Sequence, residues 1–175
     1  NKSCFSGILA ELLFVADRSY MLNNAMKKNE VKGPFISLSN INFGSLEMVN
    51  GLSRLATRFN NDKLKLDSIR KLVGISLDAE RAFDEELVTV IPDDLDWTEE
   101  IRLSVEERTG FSPDALTGLE ANLRFPGKET CETKIFGRLT AWQNWIFNRP
   151  NAVSDKGALK LFGTGSRAKF DNERV

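Results

Sequence analysis

Residues 7 to 16 read GILAELLFVA, a run in which apolar side chains flank a single carboxylate, Glu11, on both sides. A short helix that is apolar nearly all round belongs in an interior, so this one is expected to be buried on most sides. The chain must therefore supply layers to enclose it. Arg18 to Leu22 carries Tyr20 and Leu22 in alternation, and Phe35 to Leu38 is a short apolar run; each reads as a strand. Leu87 to Ile91 (LVTVI) is β-branched, ends at Pro92 and reads as the strongest strand of the chain. Between them lie helical periods. Met48, Leu52, Leu55 and Phe59 share one face, and Leu66, Ile69 and Val73 share another before Gly74 ends that helix. Ser76 or Asp78 caps the next helix, and Arg81, standing where a capping box needs Glu, leaves no box. Asn23 to Gly33, with Lys27 and Lys28, reads as a polar loop, and Asn50-Gly51 as a tight turn or a helix start.

Beyond Pro92 the pattern is helical throughout. Ile101 and Val105 lie four apart in Trp97 to Arg108, and Ser112-Pro113 opens a further helix that Pro126-Gly127 breaks. A long helix is expected from about Thr130 to Phe147, with Ile135, Leu139, Trp142 and Ile146 on one stripe and Phe136, Trp145 and Phe147 off it. A helix apolar on more than one face is sandwiched between layers or sits in a subunit interface. Pro150 forbids its continuation. The layout is thus α/β over residues 1–92, followed by an all-α region over 93–175, with no internal repeat.

The charge balance, 24 basic against 25 acidic residues, argues against a strongly electrostatic nucleic-acid partner. No signal peptide is visible, and Ile8 to Ala16, the longest apolar stretch, is too short to span a bilayer. Cys4 and Cys131 are the only cysteines, too few for a disulfide framework, so a cytoplasmic setting without a membrane partner is the expectation. The chain opens on Asn rather than Met, directly into an apolar run, and truncation of a longer protein is expected.

There is no histidine. That removes any Ser-His or Cys-His relay carried by this chain alone and most zinc sites, and no metal is expected. Acid–base chemistry falls to carboxylates, a thiol, a tyrosine, lysines or water. Glu11 is the first candidate: a carboxylate desolvated in an apolar helix has its pKa raised and serves as an acid or base near neutrality. The plainer alternatives are a solvent-facing side of the helix or a pairing with Arg18. Gly7 precedes the helix whose N-terminal amides suit a developing oxyanion, or it is simply turn chemistry. Cys4 has nothing nearby to activate it. Trp142, Trp145 and Phe147 line a pocket for an acyl or aromatic group, or belong to the core. The basic, glycine-rich stretch from Lys156 to Lys169 lacks phosphate-loop spacing and reads as tail.

In this order the residues resemble the crotonase (enoyl-CoA hydratase) superfamily. Gly7 to Leu12, running on through Asp17, is similar to its glycine-rich segment and catalytic-glutamate helix, and residues 36–55 (ISLSNINFGSLEMVNGLSRL) to its loop with a second glutamate, glycine-rich turn and arginine-leucine helix. SLDAERAFDEELVTVI resembles the helix and strand that follow, and GTGSRAKFDNERV the C-terminal tail. Within the superfamily ADRSYML, NFGSLEMVNGLSRL, SPDALTGLEANLRF and IFGRLTAWQNWIFNRPNAV look like the ring-cleaving lyases that act on 2,3-epoxybenzoyl-CoA.

The resemblance implies a fold of the α/β class: a partial crotonase core (the ClpP/crotonase-like ββα spiral) followed by an all-α C-terminal region. It implies the C-terminal part of a carbon–carbon lyase that opens 2,3-epoxybenzoyl-CoA with water, giving 3,4-didehydroadipyl-CoA semialdehyde and formate in aerobic benzoate degradation. No cofactor is implied, coenzyme A being part of the acyl-CoA substrate. It implies as partners an N-terminal crotonase-like half and, through the C-terminal helices, a second copy in a homo-oligomeric dimer. The alternatives are an ordinary enoyl-CoA hydratase or isomerase, and a non-catalytic helical dimerisation module.

Residue by residue, Glu11 falls on the first catalytic glutamate. The second falls on Asn40, which has no carboxylate, and the oxyanion glycine falls on Ile8. Gly7, Ile8, Asn40 and Gly44 are thereby candidates for substrate binding. This half-site is expected to be degenerate, with the main chemistry in the N-terminal half. Asn122, as a catalytic amide donor, and Gln143 with Asn144, as binding groups, are candidates to reach over that other site. Missing strands would leave an open sheet edge, so poor solubility of the isolated piece is expected.

Overall fold

A computed structural model describes residues 4–24, 33–124, 129–171 and 173. The chain forms two compact units, residues 1–102 and 103–175. In the first, β1 (Cys4–Ser6), β2 (Phe35–Ser37) and β3 (Ser76–Leu77) form a sheet in the order β1-β2-β3. β1 pairs parallel with β2 and places Phe5 opposite Ile36; β2 pairs antiparallel with β3 and places Ile36 opposite Leu77. The helices of this unit are α1 (Ile8–Val15), α2 (Arg54–Arg58), α3 (Lys63–Arg70) and α4 (Ala79–Asp84). α5 (Trp97–Thr109) crosses the division between units. The core gathers Ala10 and Phe14 from α1, Ile36 and Leu38 from β2 and beyond, Leu55 and Phe59 around α2, Ile69 from α3, and Leu77, Ala82 and Leu87.

Caps mark where these helices begin. Ser53 Oγ accepts from Ala56 N at 3.1 Å, Asp62 Oδ1 from Leu64 N at 2.9 Å, and Asp78 Oδ1 from Arg81 N at 2.9 Å, each satisfying an amide the helix cannot. Asp78 caps without a box, as its spacing from Arg81 predicts. Gly74, at φ 80°, ends the stretch after α3 in a conformation that disfavours any residue with a Cβ.

Four expectations change. The helical period from Met48 does not open a helix there, because Met48 and Leu52 close a turn (Met48 N to Leu52 O, 2.9 Å) with Gly51 at φ 74°, and α2 starts only at Arg54. Leu87 to Ile91 is not a strand. Leu87 and Val88 are buried, yet both amides turn back to Ala82 O, Glu86 sits at φ 61°, and only Val90 bridges Tyr20. Apolar composition fixed the burial of Leu87 and Val88, whose amides went to a helix C-terminus, while those of Thr89 and Val90 went to Ser19 O beside the bridge. Arg18 to Leu22 shrinks to its half of the same bridge. Finally, α1 buries Ala10, Glu11 and Phe14, whereas Ile8, Leu9, Leu12 and Val15 lie exposed. The carboxylate is inside and the aliphatic stripe outside, the reverse of a surface helix.

The second unit holds α6 (Pro113–Arg124), a π-helical stretch (Thr133–Leu139) running into α7 (Thr140–Phe147), and the short α8 (Pro150–Val153) and α9 (Ala158–Leu161). Helix from 131 to 147 matches the expected span, with one departure in geometry. Thr140 Oγ1 bonds Ile135 O at 2.7 Å, supplying a partner for a carbonyl at the widened turns. None of its described residues is buried, so within this chain it is not sandwiched. Gly118 gives α6 its close approach: a Cβ there would stand 2.9 Å from Ile146 Cδ1. Among the described residues no helix is long and apolar enough to cross a membrane.

Candidate functional site

The site grows from Gly7, whose φ of 53° and ψ of −116° belong to glycine. Its N–H donates to Ser37 O at 3.2 Å, which ties the start of α1 to the end of β2. Its carbonyl accepts from Asn42 Nδ2 at 2.8 Å. One turn into α1, Glu11 is 7% exposed and both carboxylate oxygens are engaged. Oε1 accepts from Asn42 Nδ2 at 2.6 Å, and Oε2 from Arg54 at 3.0 Å. Arg54 also donates to Leu46 O at 3.3 Å. Burying a carboxylate is costly unless a cation and hydrogen bonds meet it, and here both do.

Asn42 is the hub. It is completely buried within a 3-10 turn (Asn40–Phe43), accepts from Ser39 N at 3.0 Å, and spends its amide on α1 twice. Glu11 is thus buried rather than solvent-facing, and its cation is Arg54 rather than Arg18. Asn40, two residues before the hub, is exposed and takes no part in this cluster. Gly44 closes the turn at φ 140°, and Ile8 is 61% exposed on the outer side of α1. The structure therefore brings Glu11 and Gly7 together and leaves Ile8 and Asn40 outside their hydrogen-bond network. Asn42 was the residue missed. Its signal was faint: an asparagine in an otherwise apolar turn, two positions from the one singled out.

The remaining candidates lie in the second unit. Gln143 and Asn144 are exposed on α7. Asn122 donates Nδ2 to Gly118 O at 2.8 Å, and its Oδ1 is buried with no partner among the described residues. A second buried cluster went unread in the sequence: Asp114 accepts from Arg149 Nε at 3.1 Å and Asn151 Nδ2 at 3.0 Å.

The first unit also contains a cavity of about 490 Å³ whose lining includes Phe5, Tyr20, Phe35, Val88 and Trp97, with Asp94 at its wall. A smaller one of about 330 Å³ is bordered by Asn23, Ser76, Asp78 and Glu80, an acidic lining among the described residues. Among the described residues no group of His, Cys, Asp and Glu side chains could hold a metal ion.

No protein-family model matches the chain. A crystal structure of an enoyl-CoA hydratase from Geobacillus kaustophilus HTA426 superposes with a TM-score of 0.64 over 96% of this chain and 58% of that one, at 15% identity. The fold is that of the crotonases. The small mixed sheet and its helices form part of a crotonase core, joined to a helical region. In sequence the chain is 57% identical over 173 residues, 99% of its length, to a benzoyl-CoA-dihydrodiol lyase from Aromatoleum evansii. It spans 30% of that lyase's length. The resemblance to the crotonases thus holds at the level of fold, and the chain is similar in sequence to part of a benzoyl-CoA-dihydrodiol lyase.

Proposed function

We propose that this chain is the C-terminal part of a lyase that opens the ring of 2,3-epoxybenzoyl-CoA with water, yielding 3,4-didehydroadipyl-CoA semialdehyde and formate in aerobic benzoate degradation. The observation that carries this reading is the 57% identity to the lyase, which extends over nearly every residue of the chain. The reaction asks for no cofactor beyond the coenzyme A of its own acyl-CoA substrate, and its setting is cytoplasmic. An ordinary enoyl-CoA hydratase is disfavoured, because Asn40 and Asn42 leave Glu11 without a second carboxylate from the 3-10 turn.

Within that lyase the role of Glu11 is to hold rather than to react. An acid or base must come within hydrogen-bond reach of the proton that it moves. Glu11 instead accepts on both oxygens, fastening α1 to the turn at Asn42 and to α2 at Arg54. The principal chemistry then belongs to the N-terminal crotonase-like half, and Asn122, Gln143 and Asn144 approach that site from the helical region. Formate release from 2,3-epoxybenzoyl-CoA is the test. The complete protein should turn over, this segment alone should not, and Glu11→Gln in the complete protein should keep activity within about tenfold, whereas loss of a general acid or base costs about 10²–10⁴-fold. Larger loss on Glu11→Gln, in protein still folded, returns Glu11 to catalysis. Unchanged turnover on Asn122→Ala removes Asn122.

The helical region also serves dimerisation. Phe136 is 75% exposed, with Ile135 and Leu139 also exposed beside it on the π-helical stretch, an apolar patch of the kind that marks an interface. Phe136→Asp in the complete protein should shift its sedimentation toward the monomer. An unchanged mass would count against this surface.

A further inference from the structure

Asn50-Gly51 is the one asparagine-glycine pair of the sequence. It lies in the loop that joins the 3-10 turn of Asn42 to α2, and both residues are exposed. Gly51 N donates to Met48 O at 2.9 Å and Met48 N to Leu52 O at 2.9 Å, which folds residues 48–52 into a tight turn. Asn50 Oδ1 accepts from Leu52 N at 3.1 Å. These contacts set up an intramolecular reaction, because the Gly51 nitrogen is tethered within reach of the Asn50 side-chain amide and gains the advantage of proximity. Glycine leaves the approach clear of a side chain, and nothing stands within 4 Å of the place a Cβ would take. The Leu52 N–H is already aimed at Oδ1, the oxygen that gathers negative charge as the tetrahedral intermediate forms. One contact opposes attack: the Gly51 N–H must leave Met48 O before its proton can go to base.

From this geometry we infer that Asn50 is a modification site, at which the chain deamidates itself with water as co-reactant. Gly51 N gives up its proton to solvent base and bonds to Asn50 Cγ. The Cγ–Nδ2 bond then breaks, the leaving nitrogen takes up a proton, and ammonia departs from a succinimide ring. Water opens that ring without any oxidation or reduction. Opening at Cγ gives aspartate; opening at the backbone carbonyl gives isoaspartate, in which the main chain runs through Cγ. Either product puts a carboxylate into the loop just ahead of Arg54. Isoaspartate also lengthens the main chain by a methylene inside the turn, so the Gly51–Met48 and Met48–Leu52 hydrogen bonds fall out of register. The opposing contact sets the pace. A turn at the surface opens locally without unfolding the core, and each opening frees the Gly51 nitrogen. The chemistry is independent of the lyase reaction.

The test is ageing of the complete, folded protein in mildly alkaline buffer, followed by tryptic digestion and fragment-ion mass spectrometry of peptide 33–54, scored against an unaged sample. That peptide carries its own controls: Asn40, exposed but followed by the β-branched Ile41, and Asn42, buried and followed by Phe43. A synthetic copy of the peptide, aged alongside, gives the rate without the turn. Amide loss at Asn50 alone, as two isomeric products, is the expected result. Its rate should fall about fivefold below that of the peptide, the protection that one net hydrogen bond supplies. It should also rise with pH, as base withdraws the Gly51 proton. An Asn50 amide retained more than about thirtyfold longer than in the peptide would overturn the inference, since the turn would then be closed to attack. So would loss shared evenly with Asn40 and Asn42, or a rate that rises toward acid, which would mean direct hydrolysis without the ring. Mass and fragment ions are read without reference to turnover, so the outcome for Asn50 and the outcome for formate release come from separate measurements.

Discussion

Arg54→Met is expected to destabilise the folded protein by about 2–4 kcal/mol, seen as a lower urea midpoint with an unchanged slope. The variant keeps the length and apolar stem of the side chain but removes the cation that faces Glu11 Oε2 at 3.0 Å. Breaking a buried pair from one side typically costs about 3–5 kcal/mol, because the stranded charge cannot regain water. The lower range is set by two features: the Arg54 side chain is 29% exposed, and Asn42 goes on donating to Glu11 Oε1. Adding Glu11→Gln to Arg54→Met should restore more than half of the loss. The neutral amide can still accept from Asn42 and leaves no buried charge behind. If instead the double variant loses the sum of the two single losses, Glu11 and Arg54 act independently and the clasp is not a unit.

That clasp also shows how far the sequence could be read. Glu11 was conspicuous as a carboxylate among aliphatic residues, and Gly7 as the glycine before the helix. Their partners come from residues 31 and 43 positions on, and no periodicity within a window of ten or fifteen residues reports on such pairings. The crotonase resemblance narrowed the search to residues 36–55, which contain both Asn42 and Arg54, yet it pointed to Asn40. A shift of two positions in a 3-10 turn separates a buried hub from an exposed residue. A helix whose cap is local, such as α4 after Asp78, was readable for the opposite reason: the residue that starts it sits beside it. Leu87 to Ile91 misled because β-branched composition reports burial as well as sheet pairing, and here the burial of Leu87 and Val88 was realised with a single bridge at Val90.

Asp114 is the other position where one atom group holds several elements, and Asp114→Ala should cost about 3 kcal/mol. Asp114 is 1% exposed in the first turn of α6. It accepts from Arg149, just before α8, and from Asn151 within it. The two partners suffer unequally. Arg149 is stacked over Trp145 at 4.5 Å, its side chain is 28% exposed, and water can take over part of its charge. Asn151 is 3% exposed, so its amide would be left buried and unpaired, which is where most of the loss arises. Asp114→Asn keeps an acceptor of the same shape and should lose roughly half as much. The effect should also travel. Asn151 Oδ1 accepts from Asp171 N at 2.8 Å, so freeing the Asn151 amide loosens its hold on the tail. Amide exchange at Asp171 should therefore quicken in Asp114→Ala more than in Asp114→Asn. Equal exchange in both variants, with stability lost only in the first, would mean that the tail is held independently of the carboxylate.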